Sequence, residues 1–260
     1  MRVLFIGDIV GKAGRQALLE WLPEIRREYR PDFAFVNGEN AAGGNGITPQ
    51  IAEEFFAAGI DAITLGNHAW DKREVLPYID GEKRLLRPLN FPGHPPGSGS
   101  AVLRNPRGQQ IALISLAGRV FSTIHYDCPF RAADDEIVRI SRDTPAIVVD
   151  FHAEATSEKV VMGWYLDGRV SAVLGTHTHV QTADEQVLPG RTAFITDLGM
   201  TGPRESVIGI KKELVLERFL TQMPVRFEAA KGPRQLCGAI VDLEEETGKA
   251  RDITRILRRE

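Results

Sequence analysis

The chain has 260 residues, a formal net charge of −3 from 32 basic and 35 acidic side chains, and two cysteines. This length predicts one compact domain spanning residues 1–260. The near-balanced charge argues against binding to duplex DNA or to an anionic membrane surface, although a small anionic substrate needs only local positive charge.

The two cysteines, Cys128 and Cys237, are far apart and form no CxxC pattern, so neither a disulfide framework nor a thiolate metal site is indicated. The apolar run Val3–Ile6 ends before Asp8 and is too short for the core of a signal peptide. No stretch approaches the roughly 18 apolar residues of a membrane span. We therefore expect a soluble, cytoplasmic protein.

The first third of the chain alternates strand and helix patterns. The predicted elements are a strand at Arg2–Ile6, a helix from Gly14 to Arg30, a strand at Asp32–Asn37, a helix capped by Thr48 with Pro49 first and ending near Ala58, and a strand at Asp61–Leu65. Strands joined by helical crossovers lie parallel, so their carboxyl ends should share one edge of a sheet. Asp8, Glu39 and Asn67 follow these three strands.

The rest of the chain is less regular, with no internal repeat or low-complexity tract. The predicted segments are a helix at Lys72–Ile79, a surface excursion at Arg87–Gly99, a strand at Ile111–Leu116, a loop at Gly118–Phe130, a short helix at Asp134–Arg142, a strand at Ile147–Val149, a helix at Ser157–Leu166, and strands at Val170–Leu174, Thr192–Thr196, Val225–Ala229, Gly238–Leu243 and Ala250–Ile256. The last two strands should form a hairpin through Glu244–Lys249. This pattern predicts an α/β sheet protein.

Two carboxylates occupy positions that suit metal ligands. Asp8 follows Gly7 and Glu39 follows Gly38, each directly after a strand, where a sharp turn brings the side chain into the crevice at the sheet edge. Glu39 is the candidate to bridge two cations, since a shared anionic oxygen reduces their repulsion. The alternatives are a helix N-cap for Asp8 and an ordinary surface loop for Glu39.

The segment Gly66-Asn67-His68 is the sharpest single signal. The Asn67 carbonyl is a neutral, hard ligand, useful where a phosphate must also approach. His68, one residue further, could instead protonate a departing alkoxide. The alternatives are a turn asparagine and a helix-capping histidine.

Three more histidines follow predicted strands. His152 lies just past the strand at Ile147–Val149, and His177 and His179 straddle Thr178 after the next strand. A single histidine is more often structural than a ligand, but the cluster favours coordination by nitrogen and oxygen. Iron, manganese, zinc and cobalt fit such a donor set better than a thiolate zinc site would.

The ordered series GD…GEN…GNH…H…GTHTH resembles the calcineurin-like metallophosphoesterase superfamily, whose pattern is DxH…GDxxD…GNH(D/E)…H…GHxH. The match spans residues 8 to 179. The opening MRVLFIGDIVGKAGR, the segment VNGENAAGGNGIT and the segment ITLGNHAWD are more closely similar to its YmdB-like subfamily, described as 2',3'-cyclic-nucleotide 2'-phosphodiesterases. That resemblance extends essentially from end to end.

The resemblance implies a four-layer αββα sandwich, with two mixed sheets flanked by helices, and a dinuclear metal centre. The ions would be divalent or of mixed valence, with iron foremost and manganese, zinc or cobalt as alternatives. In the superfamily pattern, Asp8, Glu39 and His179 would hold one ion. The second ion would take Glu39, Asn67, His152 and His177, together with Asn40.

The chain also departs from the superfamily pattern. Asp8-Ile9-Val10 stands where the superfamily has Asp-x-His, so one site lacks an imidazole. Glu39 stands in place of the usual bridging aspartate. The YmdB-like subfamily is similar in lacking the first histidine, so its absence does not imply lost activity.

The mechanism that the resemblance implies is in-line hydrolysis of a phosphodiester. A metal-activated hydroxide attacks phosphorus while His68 protonates the leaving oxygen. The substrate would be a small-molecule nucleotide, opened at the 2' oxygen to give a 3'-nucleotide. Because homo-oligomers are common among soluble proteins, the chain could also form a homo-oligomer.

Three alternatives are weighed against this function: another substrate, a regulatory role and dinucleotide binding. The enzyme could act on a phosphomonoester, a 3',5'-cyclic nucleotide or an RNA end, whereas a phosphoprotein phosphatase would need a docking surface that the sequence does not show. A nucleotide-binding regulatory protein with slow turnover would not need His68. A dinucleotide-binding protein is disfavoured because Ile9 stands where the second glycine of GxGxxG belongs.

The loop at Gly118–Phe130 carries three residues that could face a substrate. Arg119 could grip phosphate, and His125 and Tyr126 lie further along, with the Tyr126 ring offering a face for base stacking. Ordinary loop packing is the alternative.

Overall fold

The computed structural model describes residues 1–93 and 95–260. The helices are α1 (Gly11–Tyr29), α2 (Pro49–Ala57), α3 (Val75–Ile79), α4 (Pro129–Ile140), α5 (Thr156–Leu166) and α6 (Lys212–Thr221). The strands are β1 (Arg2–Ile6), β2 (Phe33–Asn37), β3 (Ala62–Thr64), β4 (Leu85–Leu86), β5 (Ser100–Arg104), β6 (Gln110–Ala117), β7 (Ile147–His152), β8 (Ala172–Thr176), β9 (Gln186–Val187), β10 (Ala193–Ile195), β11 (Gly202–Pro203), β12 (Arg234–Leu243) and β13 (Ala250–Arg259). Within the described ranges, no helix has both the length and the apolar character needed to cross a membrane.

The first sheet contains the three parallel strands expected from the sequence. Its order is β11-β12-β1-β2-β3-β4, with β13 beside β12. Strands β1, β2 and β3 pair in parallel, and the predicted hairpin of β12 and β13 adds antiparallel strands beside β1. The carboxyl ends of β1, β2 and β3 therefore meet at one edge.

The second sheet has the order β5-β6-β7-β8-β10-β9. Strands β6, β7 and β8 are parallel, whereas β5 and β9 run antiparallel to their neighbours. The strand predicted at Val170–Leu174 lies two residues later, at β8, so Thr176 is its last residue. Strand β7 extends three residues beyond its predicted end at Val149, so His152 is the last residue of the strand rather than lying just past it.

Three apolar layers hold these sheets and helices together. The first lies between the first sheet and α1 with α2, and contains Leu18, Leu22 and Phe55. The second lies between the two sheets, and the third covers the outer face of the second sheet with residues of α4 and α5. Burial of these faces drives the packing. The predicted four-layer αββα sandwich is confirmed.

Local signals placed α2 correctly. The Thr48 hydroxyl accepts a hydrogen bond from the Ile51 amide at 3.3 Å, and Pro49 is the first helical residue. Helix α1 begins at Gly11, three residues before the predicted start, and α4 begins at Pro129, five residues before its predicted start. Proline at the first helical position is compatible with a helix start, because its missing N–H would lack a partner there in any case.

Three sequence predictions in the irregular regions were wrong. The segment Val225–Ala229 forms no strand and contributes only an isolated bridge at Ala229, whereas the preceding helix α6 was not predicted. The predicted helix at Lys72–Ile79 is reduced to the five residues of α3. The first part of Arg87–Gly99 is not a surface excursion, since Arg87 is buried and its guanidinium donates to main-chain carbonyls.

Candidate metal centre

The predicted ligands meet where the carboxyl ends of the two sheets come together. Asp8, Glu39 and Asn67 follow β1, β2 and β3 of the first sheet. His152 ends β7 of the second sheet, directly opposite Thr176 at the end of β8. Crevices at the carboxyl ends of parallel strands gather ligands because several loops converge there.

A glycine before Asn67 allows the two sheet edges to approach closely. A Cβ atom at Gly66 would lie 2.2 Å from a ring carbon of His152 and 2.4 Å from a carboxylate oxygen of Glu39. No other residue fits without displacing both side chains. The glycine of the GNH motif is therefore a packing requirement of this site.

The tightest group of polar atoms surrounds Nε2 of His152. That atom lies 3.0 Å from Glu39 Oε1, 3.0 Å from Asn67 Oδ1 and 2.9 Å from His177 Nδ1. One N–H on the ring cannot serve three acceptors, because it points in a single direction. A cation among these atoms would satisfy all of them. We call Glu39, Asn67, His152 and His177 the histidine cluster.

The other ring nitrogen of His152 shows which lone pair is free. Nδ1 of His152 lies 2.9 Å from the Thr176 hydroxyl, and that hydroxyl donates to Asp150 Oδ1 at 2.7 Å. The hydroxyl has one proton, which it gives to Asp150. Its oxygen must therefore accept from His152, which places a proton on Nδ1 of the ring. Burial opposes a charge on this ring, but Glu39, Asp8 and Asp150 outweigh it and raise the pKa of His152 to about 9 without a metal ion. A bound cation would displace the proton from Nε2, whose lone pair would then face the histidine cluster while Nδ1–H stays on Thr176.

Asp150 and Thr176 were not identified from the sequence. Asp150 is fully buried inside β7 and also accepts hydrogen bonds from Asn37 Nδ2, at 3.0 Å, and from the Thr64 hydroxyl. Asn37 in turn accepts the amide of Glu39 at 3.2 Å. One buried carboxylate thus organises groups behind both Glu39 and His152. Inward-facing polar residues within otherwise apolar strands are the signal that could have indicated them.

A second group lies beside the first. Asp8 is completely buried, its Oδ2 accepts the amide of His177 at 3.2 Å, and its Oδ1 has no hydrogen-bond partner. Asn40 Oδ1 lies 3.2 Å from Nε2 of His179. The structure therefore groups Asn40 with His179, rather than with the histidine cluster as expected. A buried carboxylate oxygen without a partner is costly unless a cation is present.

The charges of these groups are strongly coupled. Burial raises the pKa of Asp8 to about 6, against the opposing effect of His179 and His152. Burial also opposes ionisation of Glu39, but His152 outweighs it and holds the pKa of Glu39 at about 2. Burial lowers the pKa of His177 to about 3, and positive charge at His152 adds to this effect. The carboxylate of Glu39 attracts positive charge, and the His177 ring stays neutral, as ligands of a cation do.

The loop that carries His177 and His179 is fixed by a buried ion pair. Both histidines have positive φ, 102° and 67°. Asp197 accepts the Thr178 amide at 3.0 Å and the Thr178 hydroxyl at 2.7 Å, and it pairs with Lys159 Nζ at 2.6 Å. Lys159 and Asp197 were not identified from the sequence, since each lies in a different element. The contacts of Asp197 fix Thr178, the residue that separates the two histidines in the chain.

His68 stands apart from the histidine cluster. Its amide donates to Glu39 Oε2 at 3.1 Å, while its ring turns toward solvent and is 35% exposed. Nδ1 of the ring lies 2.8 Å from Asp71 Oδ2, a carboxylate that was not identified from the sequence although it lies only three residues further on. This contact orients the ring beside the site without using it as a ligand.

An open cleft borders the histidine cluster. It is lined by Asn67, His152 and His177 and by residues of the loop from Gly118 to Thr123. Tyr126, which we expected to face a substrate, also lines the cleft, but its side chain is mostly buried and packs against Phe91, with ring centroids 4.9 Å apart. Arg119 and His125 are exposed, and neither lines this cleft.

A family model described as "YmdB-like protein" matches residues 4–256 of the chain. The chain belongs to the YmdB-like family. A relative from Bacillus subtilis named 2',3'-cyclic-nucleotide 2'-phosphodiesterase is 49% identical over 257 residues, covering 99% of this chain and 97% of the relative. This match confirms the family predicted from the motifs.

Two solved structures of YmdB-like relatives have the same fold. A hypothetical protein from Thermus thermophilus superposes with a TM-score of 0.93 at 42% identity, with all of both chains covered. A novel phosphatase from Mycoplasma pneumoniae gives a TM-score of 0.93 at 35% identity, covering 100% of this chain and 93% of that one. The predicted enzyme class, a hydrolase of phosphoric diester bonds, is confirmed by the name of the Bacillus subtilis relative.

Proposed function

We propose that this chain is a metal-dependent phosphodiesterase that opens 2',3'-cyclic nucleotides to 3'-nucleotides. The observation that carries the proposal is the convergence of Glu39, Asn67 and His177 on Nε2 of His152, each within 3.0 Å. The name of the Bacillus subtilis relative supports the substrate class.

The residues present fit two metal ions. The histidine cluster offers one set of ligands, and its three ionisable members have ligand atoms within 4.8 Å of one another. Asp8, Asn40 and His179 offer a second set, in which Asp8 Oδ1 lacks a partner. Glu39 is the proposed bridge between the sets, because its Oε1 lies 3.0 Å from His152 Nε2 of the histidine cluster and its carboxylate also acts electrostatically on Asp8 of the second set.

The donor atoms are carboxylate, amide and imidazole groups, which suit iron, manganese, zinc or cobalt. The resemblance to the superfamily is what puts iron first. Such ions, when bound, would lower the pKa of water and neutralise charge on the phosphoryl oxygens. The chain's own contribution is to hold these ligands rigidly through Asp150, Thr176 and Asp197. Pre-positioned ligands reduce reorganisation during the reaction.

His68 is the proposed general acid. Its main chain is tied to Glu39, whereas its ring extends beyond the ligands toward solvent and is oriented by Asp71. A proton donor for the leaving oxygen must lie beside the phosphorus without being consumed as a ligand. The part-exposed ring of His68, adjacent in the chain to Asn67 and outside the histidine cluster, supports this role.

The first experiment measures hydrolysis of 2',3'-cyclic AMP, 3',5'-cyclic AMP, an RNA oligonucleotide with a 2',3'-cyclic end and a phosphomonoester, with bound metals quantified in the same preparation. The proposal expects selective opening of the 2',3' ring, lost on chelation and restored by iron or manganese. Preference for another substrate would overturn the substrate class. Two bound metals without turnover would favour a nucleotide-binding regulatory protein, and absence of metal would remove the proposed centre.

A further inference from the structure

The loop between β6 and α4 places one aromatic ring at the mouth of the cleft. Phe121 is 83% exposed, and its backbone has a φ of 63°. Left-handed backbone is unfavourable for a bulky side chain, and exposure of an apolar ring loses hydrophobic stabilisation. Two unfavourable features at one residue beside a candidate active site suggest a functional reason.

The backbone on both sides of Phe121 is held in place. The buried carboxylate of Glu158, on α5, accepts the amides of Arg119 at 2.9 Å and Val120 at 3.2 Å. After Phe121, the Ser122 hydroxyl accepts the Ile124 amide at 3.1 Å. Glu158 is 8% exposed and uses both carboxylate oxygens for this purpose. The conformation that presents Phe121 is thus built by the surrounding residues.

The cleft connects this ring with the histidine cluster. Phe121 lines the same cleft as Asn67, His152 and His177, which belong to the phosphate end of the proposed reaction. In a 2',3'-cyclic nucleotide the base is attached to C1', next to the phosphate-bearing C2', so a nucleotide whose phosphate lies at the cluster holds its base close by, beside the walls of the same cleft. An exposed aromatic face stacks on any base, since every base has a π-face.

We propose that Phe121 stacks on the base of the bound nucleotide and so makes the site prefer nucleotides over phosphodiesters without a base. This inference rests on the proposed function, which it extends to a specificity-determining residue. Tyr126 lines the same cleft, but it is 5% exposed and packs on Phe91, so Phe121 offers the free aromatic face. The proposed contact belongs to substrate binding and does not involve the reacting atoms.

The test compares Phe121→Ala, Phe121→Leu and Phe121→Tyr in the metal-loaded enzyme. The substrates are 2',3'-cyclic AMP and glycerol 1,2-cyclic phosphate, which has the same five-membered ring without a base. Loss of stacking should raise KM for 2',3'-cyclic AMP at least about fivefold in the Ala and Leu variants, with kcat unchanged. KM for the glycerol compound should not change, and Phe121→Tyr should retain the wild-type KM.

A matched control is Phe219→Ala. Phe219 lies on α6, is 73% exposed, and does not line the cleft, so its loss should change neither KM. A second readout is calorimetric binding of 3'-AMP and of inorganic phosphate. Phe121→Ala should weaken binding of 3'-AMP and leave binding of phosphate unchanged.

The outcomes separate this inference from the proposed function. If the wild-type enzyme with two metals hydrolyses none of the cyclic nucleotides, the proposed function fails. If the wild type is active and Phe121→Ala leaves KM for 2',3'-cyclic AMP unchanged, the stacking role fails. Equal increases in KM for both substrates would also reject stacking, because they would indicate a general disturbance of the loop.

Discussion

Nε2 of His152 faces Nδ1 of His177 at 2.9 Å, with the two rings nearly perpendicular at 72°. These histidines come from β7 and from the loop after β8. Nδ1 of His152 donates to Thr176, and Nε2 of His177 lies 3.0 Å from a carboxylate oxygen of Glu154, so the other nitrogen of each ring faces its neighbour. Two lone pairs at this distance repel unless a proton or a metal ion lies between them.

Removal of metal should destabilise the fold. An ion that binds only the native state stabilises it by about 2.7 kcal/mol when its concentration is a hundred times Kd. We expect the Tm to fall on dialysis against a chelator and to recover when iron or manganese is added. The measurement is calorimetry at fixed protein concentration. An unchanged Tm in a preparation shown to have lost its metal would contradict the proposal that metal binding stabilises the fold.

Glu39→Gln should remove or scramble both ions. The substitution keeps the shape of the side chain and removes the charge that the proposed bridge shares. Metal content per chain measures the effect. Glu154→Gln is the control, because Glu154 lies 3.0 Å from His177 Nε2 but is half exposed and outside the histidine cluster. Two ions retained in the Glu39 variant would disprove its role as the bridge.

His68→Ala should keep its metals and lose turnover by about 10²- to 10⁴-fold, the usual range for a general acid. The loss should be smaller for a 4-nitrophenyl diester, whose leaving group needs no proton. Asp71→Asn should reduce kcat in the same direction, since Asp71 orients the ring. His125→Ala removes an exposed histidine from the nearby loop and serves as a control. Loss of metal in the His68 variant would exclude the acid role.

Thr176→Val should lower metal affinity by about 10- to 100-fold, as loss of a hydrogen bond to a ligand histidine commonly does. Valine fills the same space but cannot accept the Nδ1–H of His152 or donate to Asp150. Metal titration measures the change. Thr254→Val makes the same substitution at an exposed position of β13 and should have no effect. Equal metal affinities in the two variants would refute the inference that Thr176 holds His152 with its proton on Nδ1.

Lys159→Met should destabilise the protein by about 3–5 kcal/mol, because it leaves Asp197 buried without its partner. The two side chains are 1% and 0% exposed. Lys211→Met is the control, since Lys211 pairs with Glu228 at the surface, where solvent screens the pair and its loss should cost far less than that of Lys159. Urea unfolding measures both variants. Similar losses of unfolding free energy in the two variants would show that the buried Lys159 pair is no more important for stability than the exposed pair.

The sequence by itself determined the local elements and most of the candidate ligands. The apolar runs, the Thr48 cap and the glycines before Asp8, Glu39 and Asn67 are signals within a few residues, and the strand–helix alternation fixes which strand ends share an edge. Local signals failed at Val225–Ala229. Its alternating pattern suits a strand, but apart from one isolated bridge at Ala229 it has no strand to pair with. They also missed α6, because only Val215 of that helix is buried and the helix shows little amphipathic pattern.

Only the tertiary structure decided how the two sheets face each other and which residues support the ligands. Thr64 and Asp150 are 86 positions apart, and Lys159 and Asp197 are 38 apart, yet each pair forms a buried contact. The same packing placed Asn40 beside His179, buried Tyr126 and exposed Phe121. Periodicity and capping depend on neighbours along the chain, whereas these contacts depend on burial between sheets that no local pattern encodes.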